Sequence, residues 1–291
     1  MVTDELVGLI RREGPITFDR FMDAALYGPG GFFASGHGAR SDFTTSPTLG
    51  SLFGVCAARA LDEWWRALGT PDPFLVVEAG AGDGRLAREV LRAEPECLRA
   101  LRYVLVEISP GLRAAQRDRL PLEPPGEALG AFAIRPGEDV PEPAPGSGPV
   151  FASVGELPPI GARDAVLIAN ELLDNLPFGI AESDGERWCE VRVAVTDGGF
   201  AELLVPLPTG PGAEVTDPPG PAGTRIPIPR GLRTWFGEAE RTIRSGVVAL
   251  LDYMTDEPTL RLRTYRDHRA GGSPLAAPGS CDITADVVVA Q

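Results

Sequence analysis

Apolar and polar positions follow two rhythms along this chain. Before residue 74 the spacing is helical. "TFDRFMDAAL" (17–26) and "TLGSLFGVCAARALDEWWRAL" (48–68) return an apolar side chain to the same face every turn, and each predicts a helix. Trp64 and Trp65 in the second read as packing residues. The Gly- and Pro-rich stretch between the two predicts a loop.

From residue 74 short uninterrupted apolar runs alternate with helical ones. "FLVVEA", "LRYVLVEIS" and "DAVLIAN" predict buried strands, and "RLAREVLRA" and "PGLRAAQRDRL" predict helices, the second with Pro110 in its first turn. Strand and helix in alternation predict a mostly parallel sheet with crossover helices. "VFASV" and "GVVALLDYM" are further core strands, and 231–244 a further helix. "RWCEVRVAVTDGGFAELLVPL" alternates around "DGG" and predicts a β-hairpin. Two Pro/Gly-rich stretches, 121–149 and 207–229, interrupt the pattern, and the first is expected to be a largely exposed insertion. These breaks divide the chain into a helical and glycine-loop extension (1–73), a ligand-binding core (74–177), an inserted β-rich lobe (178–230) and a C-terminal part of the core (231–291).

Composition narrows the chemistry. The chain has 291 residues and a net charge of -14, which disfavours bulk nucleic-acid binding. All 27 basic side chains are arginine, so a Walker A loop and a Schiff-base lysine are both missing. Two histidines leave a multi-His zinc site without ligands, and no metal is expected. Four scattered cysteines read as free thiols. No apolar run reaches the ~20 residues of a membrane span. The N-terminus lacks a basic segment followed by an apolar one and is too acidic for a transit peptide, so a cytoplasmic protein is expected.

The candidate site is "EAGAGDGR". A dinucleotide fingerprint needs a third glycine where this chain has Arg85, and Glu78 is awkward beside a pyrophosphate. S-adenosylmethionine carries no phosphate; it has an ammonium and a sulfonium that an acid suits. Gly80, Gly82 and Gly84 let the backbone pass close beneath it. Glu107, ending the next strand, is placed to accept two ribose hydroxyls. Asn170, Glu171 and Asp174 follow the fourth strand, where the methyl would be handed over. Glu171 and Asp174 are three apart and would share a face of a short helix.

In order along the chain, "LYGPGGFF", "SDFTTSPTLGSLFG", "EAGAGDGR", "VEISPGLRAAQ", "ANELLDNLPF", "LLDY" and "LRTYRDHRAGGSPLAAPGSCDITADV" resemble the MidA-type class I methyltransferases, a bacterial and mitochondrial family that includes complex I assembly factors. The resemblance implies a Rossmann-like α/β fold with a helical N-terminal extension and an inserted β-rich lobe. It implies S-adenosylmethionine as cofactor and a protein side chain, arginine, as acceptor. The alternative is a catalytically silent, cofactor-binding assembly factor. It also implies that Asp42, Thr45, Ser46 and Pro47 close over the methionine end, and it adds Tyr27, Tyr265 and His268 as secondary candidates. The chain departs from the family pattern at Thr48, Met254 and Asp286, and the family continues with further elements beyond the counterpart of Gln291.

Overall fold

The computed structural model describes residues 2–34, 51–132, 144–266 and 269–289. In chain order its helices are α1 (Val2–Glu13), α2 (Phe18–Tyr27), α3 (Ser51–Ala67), α4 (Arg85–Arg92), α5 (Pro110–Gln116), α6 (Pro125–Leu129) and α7 (Arg230–Thr242). Its strands are β1 (Ile16–Thr17), β2 (Phe74–Ala79), β3 (Leu101–Val106), β4 (Val150–Val154), β5 (Ala165–Asn170), β6 (Gly179–Ser183), β7 (Trp188–Thr196), β8 (Gly199–Pro206), β9 (Arg225–Ile228) and β10 (Gly246–Leu251), followed by the short β11 (Met254–Thr255), β12 (Arg263–Arg266), β13 (Arg269–Ala270), β14 (Asp282–Thr284) and β15 (Val287–Val288).

The chain forms two compact units, not four consecutive segments. One comprises Phe43–Leu172 and Phe236–Leu251; the other comprises Met1–Asp42, Leu173–Trp235 and Asp252–Gln291. The expected extension is therefore divided between them, and so is the C-terminal part. Contacts distant in sequence, which local pattern does not encode, decide the grouping.

The first unit holds a parallel five-stranded sheet in the order β10-β5-β2-β3-β4. β2 and β3 are buried at every position, which is why they read as unbroken apolar runs: a parallel sheet is covered on both faces. Ala58 and Leu61 of α3 and Leu86, Ala87 and Val90 of α4 pack with Val76, Tyr103, Leu105 and Ile168 in one core cluster. Trp64 and Trp65 pack against it, as their spacing predicts.

One expectation is corrected here. β10 joins the parallel sheet with Val247 and Ala249 against the core, yet it is not buried as a core strand would be: among the described residues it pairs with β5 alone, and Val248 is 45% and Leu251 40% exposed. The 121–149 stretch is largely exposed among its described residues, as expected, and parts of it also pack. Leu122 bridges to Phe151, α6 packs on β4 with Ala128 buried, and the Gly146 N–H donates to Asp72 Oδ2 at 2.7 Å.

The second unit is built on the antiparallel order β1-β7-β6-β9, with β8 on β7 as the predicted hairpin. Arg230 fastens it by pairing with Asp19 (2.9 Å), Glu190 (2.7 Å) and Glu214 (2.5 Å). β9 lies inside the second Pro/Gly-rich stretch and is not evident from the sequence pattern.

Candidate active site

The glycine loop follows β2 at the carboxyl end of the parallel sheet, where open α/β sheets bind ligands. Gly80, Gly82 and Gly84 all have left-handed φ, +71°, +55° and +80°. Their surroundings differ. A Cβ on Gly80 would meet Leu172 Cδ1 at 3.1 Å, and one on Gly84 would meet Leu105, Gln116 and Leu120 at 3.2–3.3 Å. A Cβ on Gly82 would meet no described atom within 4 Å. The outer two glycines serve packing; the middle one has none of the described residues against it.

Gly82 is held from both sides. Its N–H donates to Glu107 Oε2 at 2.9 Å, and its carbonyl accepts from Gln116 Nε2 at 2.8 Å. Asp83 pairs with Arg119 at 2.6 Å, which fixes the next residue. Gln116 was not singled out from sequence. Its signal was a long polar side chain beside Leu112 and Ala115 on the buried face of α5.

Glu107 lies just after β3 and is 7% exposed. Oε2 takes the Gly82 N–H and Oε1 takes the Ser109 N–H at 2.8 Å. Burial pushes this carboxyl above its ordinary range, and these two N–H groups pull it back. A carboxylate offers about four lone-pair positions, and the backbone N–H groups of Gly82, Ser109 and Ile108 take part of that capacity. Ile108 beside it is 57% exposed and presents an apolar surface of the kind a base requires. The Glu107 N–H donates to Val154 O at 3.0 Å, which sets the end of β4 alongside.

Glu78 is buried in β2 and accepts from Tyr103 Oη at 2.9 Å. Three acids, Glu78, Asp83 and Glu107, thus surround the loop, with Arg119 on Asp83 and Arg113 on the backbone carbonyls of Glu107 and Ile108. The set fits a cationic nucleoside: room over Gly82 among the described residues, a carboxylate for vicinal hydroxyls, and negative charge for an ammonium or sulfonium.

On the acceptor side Asn170 ends β5. Glu171 does not share a helical face with Asp174, because the helical turn covers only Leu173–Asn175. Glu171 instead has φ +50°, an uncommon conformation for a side-chain-bearing residue, and its N–H donates to Leu251 O at 2.8 Å. Leu172, which follows it, is the neighbour of Gly80, so Glu171 stands one strand from the glycine loop.

Asp174 belongs to the other compact unit. There its Oδ2 accepts from Thr284 Oγ1 at 2.5 Å and its carbonyl from the Ala285 N–H at 3.2 Å. Tyr27 donates to Asn175 O at 3.0 Å and stacks on Phe33. Tyr265 lies in β12, opposite Asp282. Arg261 pairs with Glu257, and Arg263 with Asp286, the residue at a point of departure from the family pattern. Asp42, Thr45, Ser46, Pro47 and His268 lie outside the described residues.

Fold and loop together define a class I, Rossmann-like S-adenosylmethionine-binding protein. Residues 56–291 match the model of a family of S-adenosyl-L-methionine-dependent methyltransferases, and the chain belongs to that family. It is 31% identical to "Protein arginine methyltransferase NDUFAF7 homolog, mitochondrial" of Drosophila melanogaster, over 97% of this chain and 67% of that protein. The Rattus norvegicus relative of the corresponding name is 26% identical, over 96% and 65%. The chain thus spans about two thirds of the length of these curated relatives.

A Burkholderia thailandensis protein crystallised with S-adenosyl-homocysteine superposes with a TM-score of 0.74 at 26% identity, covering 99% of this chain and 73% of that one. A second structure from the same organism gives a TM-score of 0.73 at 27% identity, covering 99% and 72%. S-adenosylmethionine is the family's cofactor, as the loop chemistry requires. The cytoplasmic expectation is overturned, because the curated relatives are named as mitochondrial proteins. The composition of an N-terminal stretch is too weak a signal to fix a compartment.

Replacing Glu107 with alanine is expected to weaken S-adenosylmethionine binding by about 2–4 kcal/mol, the scale of two hydrogen bonds to a charged acceptor. Calorimetric titration measures it. A loss smaller than about threefold would place the ribose elsewhere.

Proposed function

We propose that this chain transfers a methyl group from S-adenosylmethionine to an arginine side chain of a protein. The observation that carries this reading is Glu171: an acid in a strained backbone conformation, one strand from the glycine loop. Strain of this kind persists where the surrounding structure enforces it, and it concentrates at functional sites. The names of the curated relatives support arginine as the acceptor.

The cofactor supplies an electrophilic methyl on a cationic sulfur. The chain supplies position. Gly80, Gly82 and Gly84 admit the cofactor, Glu107 holds the ribose, and the Asp83–Arg119 and Gln116 contacts keep the loop in shape. Asn170 and Glu171 orient the guanidinium, whose planar fork matches a carboxylate, and Glu171 takes up the proton that methylation releases. Alignment matters more than charge stabilisation here, because charge disperses as the methyl leaves sulfur.

The test uses labelled S-adenosylmethionine and a lysate from cells lacking this protein, followed by amino-acid analysis of the labelled proteins. Label on arginine is expected. Label on another side chain would replace the acceptor. Tight cofactor binding without any transfer would leave the catalytically silent, cofactor-binding assembly factor as the reading.

A further inference from the structure

Gln116 is fully buried at the end of α5, an uncommon place for a long polar side chain. Its stem packs with Leu105 and Leu120 where the three converge on Gly84, and its amide tip reaches Gly82. Nε2 donates to the Gly82 carbonyl at 2.8 Å. Oε1 is buried as well, and no described donor reaches it. Turning the amide over does not keep the contact. It would set Oε1 against the Gly82 carbonyl, acceptor against acceptor.

The same segment of chain holds the rest of the loop. Arg119, just beyond α5, pairs with Asp83, and Glu107, at the end of the preceding strand, takes the Gly82 N–H. Both backbone polar groups of Gly82 are thus bound by side chains. A glycine at φ +55° has many other conformations open to it, and none of the described residues packs on the side where a Cβ would stand. Hydrogen bonds rather than packing keep this residue in one conformation.

Resting on the reading of the glycine loop as the S-adenosylmethionine site, we propose that Gln116 is a positioning residue that acts through Gly82. It sets the loop in its binding conformation before the cofactor arrives, and the chain gives up folding stability to have it there. A ligand that binds one conformation loses affinity in proportion to the chains that hold another. Releasing the Gly82 carbonyl raises that proportion. The cost lies in Oε1, a buried acceptor without a described donor, which an apolar side chain of similar length would not carry. The two consequences have opposite signs. A side chain that only fills the core loses stability and binding together when it is replaced. One that orders the loop at the expense of the fold loses binding alone.

The variant is Gln116→Met, similar in length and without an amide, and the probe is S-adenosylhomocysteine. Calorimetric titration is expected to show a dissociation constant about fivefold larger, the scale of one hydrogen bond, with a melting temperature no lower than that of wild type. The Gly82 amide of the ligand-free variant is expected to exchange with solvent faster than in wild type. An affinity within about twofold of wild type would overturn the proposal. A variant that does not fold, or whose melting temperature falls along with its affinity, would overturn it as well, because both are marks of a packing role. NMR of wild type alone puts the same question. Slow exchange of the Gln116 side-chain amide protons in the ligand-free chain is expected, and protection that arises only with S-adenosylhomocysteine would overturn the proposal. Failure of wild type to bind the probe would remove the cofactor reading itself, and the proposal with it.

Discussion

Gly82→Val is expected to abolish S-adenosylmethionine binding while the chain still unfolds cooperatively. The two effects separate because of what surrounds this glycine. A Cβ there meets no described protein atom within 4 Å, so the branch point itself displaces none of the described core. The backbone cost is that of a side-chain-bearing residue at φ +55°, about 1–2 kcal/mol and somewhat more for a β-branched one. That is less than the roughly 5–15 kcal/mol that holds a domain together. The space the valine would fill is the space the cofactor needs.

Gly84→Val is the contrast. Its Cβ would press on Leu105, Gln116 and Leu120, adding overpacking of about 1–3 kcal/mol to the same backbone strain where α4 begins. A lower melting temperature is expected there as well as lost binding. Calorimetric titration and thermal unfolding of both variants check the pair. An unchanged dissociation constant for Gly82→Val would put the cofactor elsewhere.

Glu171→Gln is expected to reduce methyl transfer by on the order of a hundredfold or more, the scale of a lost acid–base and positioning group, with cofactor affinity within threefold of wild type. Asp174→Asn is expected to behave differently. Its carboxylate already accepts the Thr284 hydroxyl, so the change weakens a structural hydrogen bond worth about 1 kcal/mol. A lowered melting temperature with largely retained transfer is the expected signature. Labelled-methyl assays and melting curves on the two single variants make the comparison. Undiminished transfer by Glu171→Gln would end its assignment to the acceptor side.

The sequence was most legible where burial on both faces wrote itself into composition. β2, β3 and β5 are unbroken apolar runs because helices cover the parallel sheet, and the glycines betray the loop between β2 and α4. Legibility failed where pairing is non-local. "GVVALL" has the composition of a buried strand, yet among the described residues β10 pairs with β5 alone, and nothing in six residues records that. β9, "RIPI", hides among prolines because its identity as a strand comes from β6, some forty-five residues earlier.

α6 escaped notice because its buried residue is a small one, Ala128, in a stretch with few large apolar side chains. The shared helical face of Glu171 and Asp174 failed because three-residue spacing implies a helix only if one forms at both positions. Within the candidate site, Glu107 and the glycines are proposed from residue type and order. The double clamp on Gly82 was not legible, since Gln116 acts through the backbone rather than through a motif.

The central claim is that the glycine loop and Glu107 hold S-adenosylmethionine. A crystal structure of the chain with S-adenosylhomocysteine tests it most directly. Ligand over Gly82, with both ribose hydroxyls on the Glu107 carboxylate, is the expected result. Ligand bound away from residues 78–84, or a ribose with no contact to Glu107, would contradict it.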